Sequence, residues 1–426
     1  MRLIFRRANQ RRERMYYGWR IALTLAFTET ISWGIIYYAF TVFITPMETE
    51  MGWSRAELTG GFSLALLVMG ALAFPVGAWV DKHGSRLLMT IGSVCAAILV
   101  IAWSQVTTLP AFYLIWIGLG ACGAAVLYEP AFAVVATWFV KKRSRALAII
   151  TFAAGLASTI FVPLSDVLLH AVGWRDAILI LGVFLAVTTI PLHALVLRRR
   201  PDDLGLLPDG GEISLTSPRP VVDGKTLSQA VNSRFFWLLT FAFSLAVLAS
   251  AAIRVHFIPF LIDAGIDAST AALASGSIGL MQVAGRLVFA PLETRLSIRT
   301  MVAGVFALQA VSMSLLLFGA SVWLIGLFIL VFGTSYGAKT LARASVVADQ
   351  FGTSHYGRIS SVMAIFLTGA STLAPVGAGL IYDRFGSYQP VVWIIVALAL
   401  VATGIMILAK PQKLELIAVE HTIVAN

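Results

Sequence analysis

Charged side chains are scarce in this sequence of 426 residues. Asp, Glu, Lys and Arg together make up 12% of it, whereas 59% of the residues are hydrophobic. A soluble globular protein carries about 25% charged residues. The chain therefore has more apolar surface than a water-soluble fold can bury, and lipid is the remaining partner for that surface. This composition excludes an ordinary soluble domain and predicts an integral membrane protein.

Cysteine is also rare, and recognisable catalytic motifs are missing. Cys95 and Cys122 both lie in apolar runs, a setting that predicts neither a disulfide nor a thiol-based metal site. The sequence has no phosphate-cradling glycine loop, no nucleophile motif and no His/Cys set with metal-ligand spacing. We therefore predict a protein that is not an enzyme, holds no metal or cofactor, and is not driven directly by ATP.

What the sequence has instead is a series of long apolar runs. A membrane-spanning helix needs about 20 predominantly apolar residues. Twelve such runs are centred near Ser32, Val68, Val94, Gly120, Ala157, Phe184, Ala246, Ile278, Val311, Phe332, Leu367 and Leu398. The first apolar run, from about Arg20 to Thr45, is too long for a signal peptide, so no cleavable leader is predicted. The predicted fold class is an all-α integral membrane protein with 12 transmembrane helices.

Composition divides the chain into five segments. A stretch rich in Pro, Gly, Asp and Arg separates the sixth apolar run from the seventh and is typical of a solvated linker. The predicted segments are an Arg-rich arm (1–19), a six-helix bundle (20–197), a linker (198–234), a second six-helix bundle (235–409) and a tail (410–426).

The distribution of basic residues predicts the orientation. With both termini on the cytoplasmic side, 24 of the 31 Lys and Arg residues fall in cytoplasmic segments and three, Arg55, Arg175 and Arg384, in external ones. This is a strong positive-inside bias, and it favours a multi-pass protein of a bacterial-type cytoplasmic (inner) membrane. The basic clusters lack interleaved aromatic residues, so no nucleic acid is expected as a partner. The predicted partners are the lipid bilayer and a small-molecule substrate, and we expect a monomer.

The two halves of the chain repeat each other. Three short segments recur in the same order, the first of them at an offset of 212 residues: "AVVATWF" at Ala133 and "SVVADQF" at Ser345, "GLASTIFVP" at Gly155 and "GASTLAP" at Gly369, and "LAFP" at Leu72 and "LVFAP" at Leu287. Duplicated six-helix halves are typical of secondary transporters, which hold substrate near the membrane midplane and expose it alternately to each side.

One loop motif points to a family. The segment "GAWVDKHGSR" ends the second apolar run, and it resembles the signature loop of the major facilitator superfamily, which implies a two-bundle fold and a role in conformational change. The glycines permit close helix packing and a tight reversal. The residues assigned to this conformational motif are Gly77, Asp81, Lys82, Gly84 and Arg86. A degenerate copy, "APLETRLSIR", lies in the second half with Glu293 as the acid.

A second resemblance narrows the branch. Tyr128-x-Pro130, followed by Trp138-Phe139 and Lys142-Arg143, resembles the monocarboxylate transporter and oxalate–formate exchanger branch of that superfamily. The run from Tyr17 to Phe43 is similar to the first helix of the same branch. This resemblance implies secondary transport of a small organic anion such as a monocarboxylate, by uptake or symport with a proton.

The same resemblance implies substrate-binding residues. Arg286 falls where the branch has an arginine that binds the substrate carboxylate, and a planar guanidinium offers a bidentate fork to a carboxylate. Gln282 lies one turn earlier on the same face, and Tyr128 matches a tyrosine that hydrogen-bonds the carboxylate. The alternative for Arg286 is a fixed acidic partner that locks the halves together. Gln282 and Tyr38 replace an aspartate and a lysine of relatives, which puts the usual proton relay in doubt.

Other polar residues within the predicted helices are further candidates. Glu29, Trp33 and Tyr37 are spaced by four and share a helix face, so Trp33 and Tyr37 are predicted to line the substrate site. The proton-coupling candidates are Glu29, Glu129 and His256, with a permanent arginine partner as the alternative for Glu29 and a structural role as the alternative for His256. The residues assigned to a gate or to salt bridges are Arg254, Lys339 and Arg343.

Three other functions remain open from the sequence. A cavity lined by Trp33, Tyr37, Tyr38 and Tyr128 favours a larger aromatic or heterocyclic solute such as riboflavin. A drug exporter is a weaker alternative, since Pro163 lacks the glycines of the exporter signature around it. A nutrient sensor without transport activity is the weakest, because the tail after Lys410 is short.

Overall fold

The chain folds into membrane-spanning helices. A computed structural model describes residues 15–210, 225–292, 296–352 and 356–409, and these residues contain helices and connecting turns but no strand. Eleven helical segments within these ranges are long and apolar enough to cross a membrane. One of them, Arg145–Val196, has 52 residues and would be about 78 Å long as a straight helix. It breaks at Gly173 (φ 81°, ψ 165°) and supplies two spans, so the described residues form the twelve helices expected.

The helices are numbered along the chain. Their bounds are α1 Tyr17–Met51, α2 Arg55–His83, α3 Ser85–Ser104, α4 Leu109–Trp138, α5 143–172, α6 174–196, α7 Arg234–Asp263, α8 Ala268–Leu292, α9 Ile298–Leu315, α10 Val322–Phe351, α11 Tyr356–Phe385 and α12 Gln389–Leu408. A short helix, Leu227–Val231, precedes α7. Most of the predicted arm (1–14), part of the predicted linker (211–224) and the predicted tail (410–426) lie outside the described residues.

The helices pack as two bundles, α1–α6 and α7–α12. The side chains buried inside the first bundle come mainly from α1 to α6, and those inside the second come mainly from α7 to α12. The bundles meet where α2 packs on α11, α5 on α8, and α1 on α7. We call the end with Lys82, Lys141 and Arg198 the basic end, and the opposite end, with the start of α2, the Arg55 end.

Local sequence determines where α2 begins and ends. Ser54 and Glu57 form a capping box, in which the Ser54 side chain accepts the Glu57 N–H and the Glu57 carboxylate accepts the Ser54 N–H at 2.8 Å. At the other end Gly84 has φ 80°, a backbone conformation that favours glycine. The chain therefore reverses at Gly84 and enters α3 directly.

The conformational motif differs in detail from its prediction. The tight reversal lies at Gly84, as expected, but a side chain at Gly77 would meet no atom within 4 Å, so the expectation of close helix packing at Gly77 is wrong. Arg86 Nε donates to the Ala194 carbonyl of α6 at 2.7 Å, and the Lys82 carbonyl accepts from Arg199 at 2.6 Å. The Asp81 side chain and, in the degenerate copy, residues 293–295 lie outside the described residues.

Close helix packing occurs instead within the second bundle, between α8 and α10. A Cβ at Gly285 would lie 2.1 Å from the Thr334 carbonyl oxygen, and one at Gly337 would lie 2.0 Å from the Gln282 carbonyl oxygen. Since no side-chain atom fits at these distances, the two backbones are in direct contact, as small residues permit in membrane helices. This contact fixes the position of α10, which carries two of the cationic residues of the candidate site.

The two cysteines, Cys95 and Cys122, are both free.

Candidate functional site

A cavity of about 190 Å³ lies between the second bundle and α1. It is lined by Tyr37, Phe243, Val247, Ser250, Ala251, Arg254, Tyr336, Lys339, Thr340, Arg343, Leu367 and Ser371. Three of these residues, Arg254, Lys339 and Arg343, are basic, and the described residues of the lining include no Asp or Glu. The cavity is therefore a cationic, tyrosine-lined space among apolar helices.

Arg254 is held by tyrosines from both bundles. Its Nη2 donates to the Tyr38 hydroxyl at 3.0 Å, and its Nη1 donates to the Tyr336 hydroxyl. The guanidinium carbon also lies 5.3 Å from the ring centroids of Tyr37 and Tyr38 and 4.6 Å from that of Tyr336. Arg254 forms no ion pair with any carboxylate in the described ranges. A guanidinium has five N–H donors, so three remain after the two tyrosine bonds.

A wide turn in α1 positions two of these tyrosines. Residues Trp33–Tyr38 form a π-helical segment, and the Ala39 N–H donates to the Gly34 carbonyl, five residues earlier, at 2.8 Å. A π segment rotates the residues that follow it relative to a regular α-helix, and such segments are frequent at functional sites. Tyr37 and Tyr38 therefore both face Arg254 on α7.

Lys339 is buried, with 6% of its surface exposed. Its Nζ donates to the Ser250 hydroxyl at 2.5 Å and to the Ala246 carbonyl at 3.2 Å, and it lies 4.7 Å from the Tyr336 ring centroid. Arg343 follows one turn later on α10 and is half-buried. None of the three residues assigned to a gate or to salt bridges, Arg254, Lys339 and Arg343, forms an ion pair within the described ranges. The groups that contact Arg254 and Lys339 are hydroxyls, a carbonyl and aromatic rings.

Gln282 and Arg286 have separate surroundings. Gln282 is 3% exposed and lines a smaller cavity that it shares with Arg254 and Tyr38. Arg286 is half-buried, and its Nη1 donates at 2.7 Å to the Thr151 carbonyl of α5 in the other bundle. The Arg286 Nε is buried without a hydrogen-bond partner among the described residues. Arg286 thus joins α8 to α5 and does not line the 190 Å³ cavity.

Glu29 lies inside the first bundle beside aromatic residues. Its exposed fraction is 0%, and neither carboxylate oxygen has a hydrogen-bond partner among the described residues. The Trp33 ring packs on Tyr37 at 5.4 Å and on Tyr128 at 5.1 Å between centroids. The structure thus brings Glu29, Trp33, Tyr37 and Tyr128 into one region beside Arg254. Glu129 does not join this group, since its side chain is exposed.

His256 lies in a different place, towards the Arg55 end. It is 1% exposed, its Nε2 donates to the Pro375 carbonyl at 2.8 Å, and its Nδ1 accepts from the Tyr388 hydroxyl at 2.7 Å. Both ring nitrogens are therefore occupied by groups of α11 and of the loop before α12. This arrangement matches the structural alternative for a lone buried histidine.

Sequence reasoning missed an ion-pair cluster formed by Arg55, Glu48 and Asp263. Arg55 is only 4% exposed; its two Nη atoms bind the Asp263 carboxylate at 2.8 and 2.9 Å, and its Nε binds Glu48 at 2.9 Å. The cluster closes the Arg55 end by joining α2 of one bundle to α7 of the other. A signal was present: Arg55 is the first residue of α2, where the helix dipole disfavours a cation.

The fold and the site together define a multi-pass membrane transporter with a polar cavity between two six-helix bundles. The family model described as Major Facilitator Superfamily matches residues 22–338 and 244–418. These matches cover most of the chain, and the protein therefore belongs to the major facilitator superfamily.

Curated relatives span the same length. An MFS-type transporter of Bacillus subtilis, YcxA, described as uncharacterized, is 23% identical over 90% of this chain and 92% of its own. Monocarboxylate transporter 13 of Bos taurus is 25% identical over 92% of this chain and 89% of its own. Monocarboxylate transporter 12 of Homo sapiens is 25% identical over 87% of this chain and 76% of its own. The resemblance to the monocarboxylate transporter branch is confirmed.

Solved structures confirm the fold. A bacterial homolog of the human lysosomal transporter Spinster, in an inward-facing and unoccupied conformation, has a TM-score of 0.71 at 14% identity and covers 93% of this chain and 97% of its own. The nucleoside transporter NupG has a TM-score of 0.73 at 13% identity, covering 92% of this chain and 99% of its own.

Proposed function

We propose that this protein moves a small organic anion, such as a monocarboxylate, across a bacterial cytoplasmic membrane by secondary active transport. The observation that carries the proposal is Arg254, a permanently charged group in a cavity with no described carboxylate. Burying an unpaired charge within a membrane is costly, and a substrate carboxylate would supply the missing partner. The three free N–H donors of Arg254 suit a planar acid group.

The size of the cavity supports a small substrate. Drug-sized ligands occupy pockets of about 300–1,000 Å³, whereas this cavity measures about 190 Å³. Of the aromatic residues expected to line a cavity for a larger solute such as riboflavin, Tyr37 and Tyr38 lie beside Arg254, together with Tyr336. These rings surround the guanidinium of Arg254, however, and leave little room for a stacked heterocycle.

The residues predicted from the sequence have distinct parts in this proposal. The branch resemblance implies that Arg286 binds the anion, and we assign this role to Arg254 instead. Tyr38, Tyr336 and Gln282 are the polar groups beside it. Arg286 remains a second candidate, because its Nε has no described partner. Tyr128, Trp33 and Tyr37 form the wall beside Glu29, which we propose as the group that carries a co-transported proton.

The proposal includes a direction and an orientation. The basic end lies in the cytoplasm, in accordance with the positive-inside rule, and the Arg55 end lies outside. Alternating access then requires that the Arg55 cluster open while the basic end closes, so that an anion taken up outside is released inside.

Uptake of labelled monocarboxylates by proteoliposomes that contain the purified full chain tests the proposal. Replacement Arg254→Gln should abolish saturable uptake, and Arg254→Lys should weaken it at least tenfold, since an ammonium lacks the bidentate fork. Arg286→Lys is the matched comparison on α8 and should retain more activity. The proposal is refuted if the wild-type protein takes up none of the organic anions tested, or if Arg254→Gln retains full activity.

A further inference from the structure

The cavity contains more positive charge than one carboxylate can balance. Arg254 and Arg343 remain protonated at any physiological pH, and Lys339 lines the same space. A monocarboxylate bound to Arg254 would leave the second arginine without a partner in the described lining. Arg343 is half-buried, and a charge without a partner within a membrane is unfavourable, so the lining is suited to a ligand with a second acidic group.

The geometry places this second group beside Lys339 and Arg343. The guanidinium carbon of Arg254 and the Nζ of Lys339 lie 4.6 and 4.7 Å from the centroid of one ring, Tyr336. The two charges are therefore no more than about 9.3 Å apart. An ammonium has three N–H donors, and Lys339 uses two of them on Ser250 and Ala246. One donor remains for a ligand.

We infer that the preferred substrate is a short dianion, with one acid group on Arg254 and the other on Lys339 and Arg343. This inference rests on the proposed function, because it concerns the same cavity. Charge-assisted N···O bonds measure about 2.8 Å at each end, so the carbon chain between the two acid groups must be short. Arg254 and Lys339 both lie close to the Tyr336 ring, so the spacing of the acid groups decides affinity.

The same cavity brings three basic residues together. Arg254, Lys339 and Arg343 all line it, and the like charges of the two arginines repel each other in the empty cavity. A dianion relieves this repulsion at both ends, whereas a monoanion relieves it at one. Discrimination between the two ligands therefore comes from the protein's own charges and requires no negatively charged residue in the lining.

Succinate and succinamate form a matched pair of probes, since one carboxylate of succinate is replaced by a neutral amide of nearly the same shape. Binding to the purified full-length protein is measured calorimetrically at pH 7.5, where both succinate carboxylates are ionised. Malonate, glutarate and their half-amides cover the neighbouring chain lengths. Wild-type protein should bind the best diacid at least about tenfold more tightly than its half-amide.

Variants assign the preference to residues. Lys339→Gln and Arg343→Gln should each reduce the ratio of diacid to half-amide affinity severalfold, and Lys339→Arg should restore most of it. Arg254→Gln should lose both ligands. Thr403→Val, on α12 with its hydroxyl bonded to the Ala399 carbonyl of its own helix, is the control that should leave the ratio unchanged. Melting temperatures establish that each variant is folded.

The outcomes separate this inference from the proposed function. Equal binding of diacid and half-amide, or a ratio that Lys339→Gln and Arg343→Gln leave unchanged, overturns the dianion inference. Binding of monocarboxylates without any diacid overturns it as well, while anion transport stands. Absence of binding for every mono- and dicarboxylate tested refutes both.

Discussion

Arg55 and Asp263 form a bidentate ion pair that joins the two bundles, with N···O distances of 2.8 and 2.9 Å. The guanidinium carbon of Arg55 also lies 3.9 Å from the Tyr382 ring centroid, and the backbone N–H of Ala56 donates to Asp383 at 3.1 Å. These contacts all connect the start of α2 to the second bundle. They must separate before the cavity can open at this end.

Replacement Arg55→Gln should therefore shift the protein towards opening at the Arg55 end. Breaking a mostly buried pair costs about 1–3 kcal/mol here, since the Asp263 side chain is partly exposed. The shift is measured as the rate at which a thiol reagent labels Ser275→Cys in the smaller cavity, in a Cys95→Ser background. We expect faster labelling and slower transport.

Charge reversal provides the control for this experiment. The double variant Arg55→Asp with Asp263→Arg keeps an ion pair between the same helices and should recover slow labelling, whereas Arg55→Asp alone should not. Labelling of Ser275→Cys at the wild-type rate in Arg55→Gln would show that the cluster does not hold this end closed.

Glu29 is expected to couple transport to protons. Replacement Glu29→Gln keeps the shape of the side chain and removes its ability to take up and release a proton. Exchange of substrate across the membrane should persist, while accumulation driven by a pH gradient should fall at least tenfold. Both are measured in the same proteoliposomes. Glu129→Gln is the matched control, because its exposed side chain lies outside the aromatic region, and unaltered accumulation in Glu29→Gln would remove Glu29 from coupling.

The backbone contact between α8 and α10 should tolerate no side chain. Gly337→Ala would place a Cβ 2.0 Å from the Gln282 carbonyl oxygen, so the helices must separate, at a cost of about 1–3 kcal/mol. Since Gln282 and Lys339 lie beside this contact, we expect a lower melting temperature together with weaker anion binding. Gly369→Ala, where a Cβ meets no atom within 4 Å, should have little effect on either quantity.

The loop after α4 provides a pH-dependent prediction outside the membrane. The Asp209 carboxylate accepts the N–H groups of Val140, Lys141 and Lys142 at 2.6–3.1 Å. Burial opposes its ionisation, but these backbone hydrogen bonds prevail and lower the pKa of Asp209 below its usual value. A lowered folded-state pKa stabilises the fold above the unfolded-state pKa, and this stabilisation disappears as the pH falls through the folded value.

Replacement Asp209→Asn should therefore lower thermal stability slightly at pH 7, and the difference from the wild type should shrink as the pH falls below the unfolded-state pKa. The effect should be below about 1 kcal/mol, because Asp209 is partly exposed to solvent. Unfolding temperatures measured from pH 3 to 7 check this expectation. A difference between the two proteins that grows as the pH falls would contradict it.

The helices could be predicted because hydropathy and length determine membrane spans. Twelve apolar runs gave twelve spans, and the repeats of the two halves predicted the two-bundle fold. The site was less predictable. The sequence assigns Arg254 to a gate or a salt bridge because it lies near the outer end of its predicted helix. The π-helical turn that directs Tyr37 and Tyr38 towards it has no recognisable signature in the sequence.

Pairings across the bundles were equally hidden. Arg55 and Asp263 are 208 residues apart, and nothing in either local sequence indicates the other. Arg286 lies on α8, as the sequence predicts. Its contact with the Thr151 carbonyl depends on the distance between α5 and α8, and the glycine content indicates close packing without determining that distance. Composition and periodicity thus define the scaffold, while tertiary contacts decide which cations have partners.

The two hydroxyl groups that hold Arg254 belong to different bundles. Tyr38 lies on α1 and Tyr336 on α10, so a rocking of one bundle against the other would change the number of hydrogen bonds on the guanidinium. An anion that replaces Tyr38 as a ligand of Arg254 lowers the cost of separating the bundles, and by thermodynamic linkage separation raises the affinity for the anion. Ligand affinity and the angle between the bundles are then two expressions of one coupling free energy.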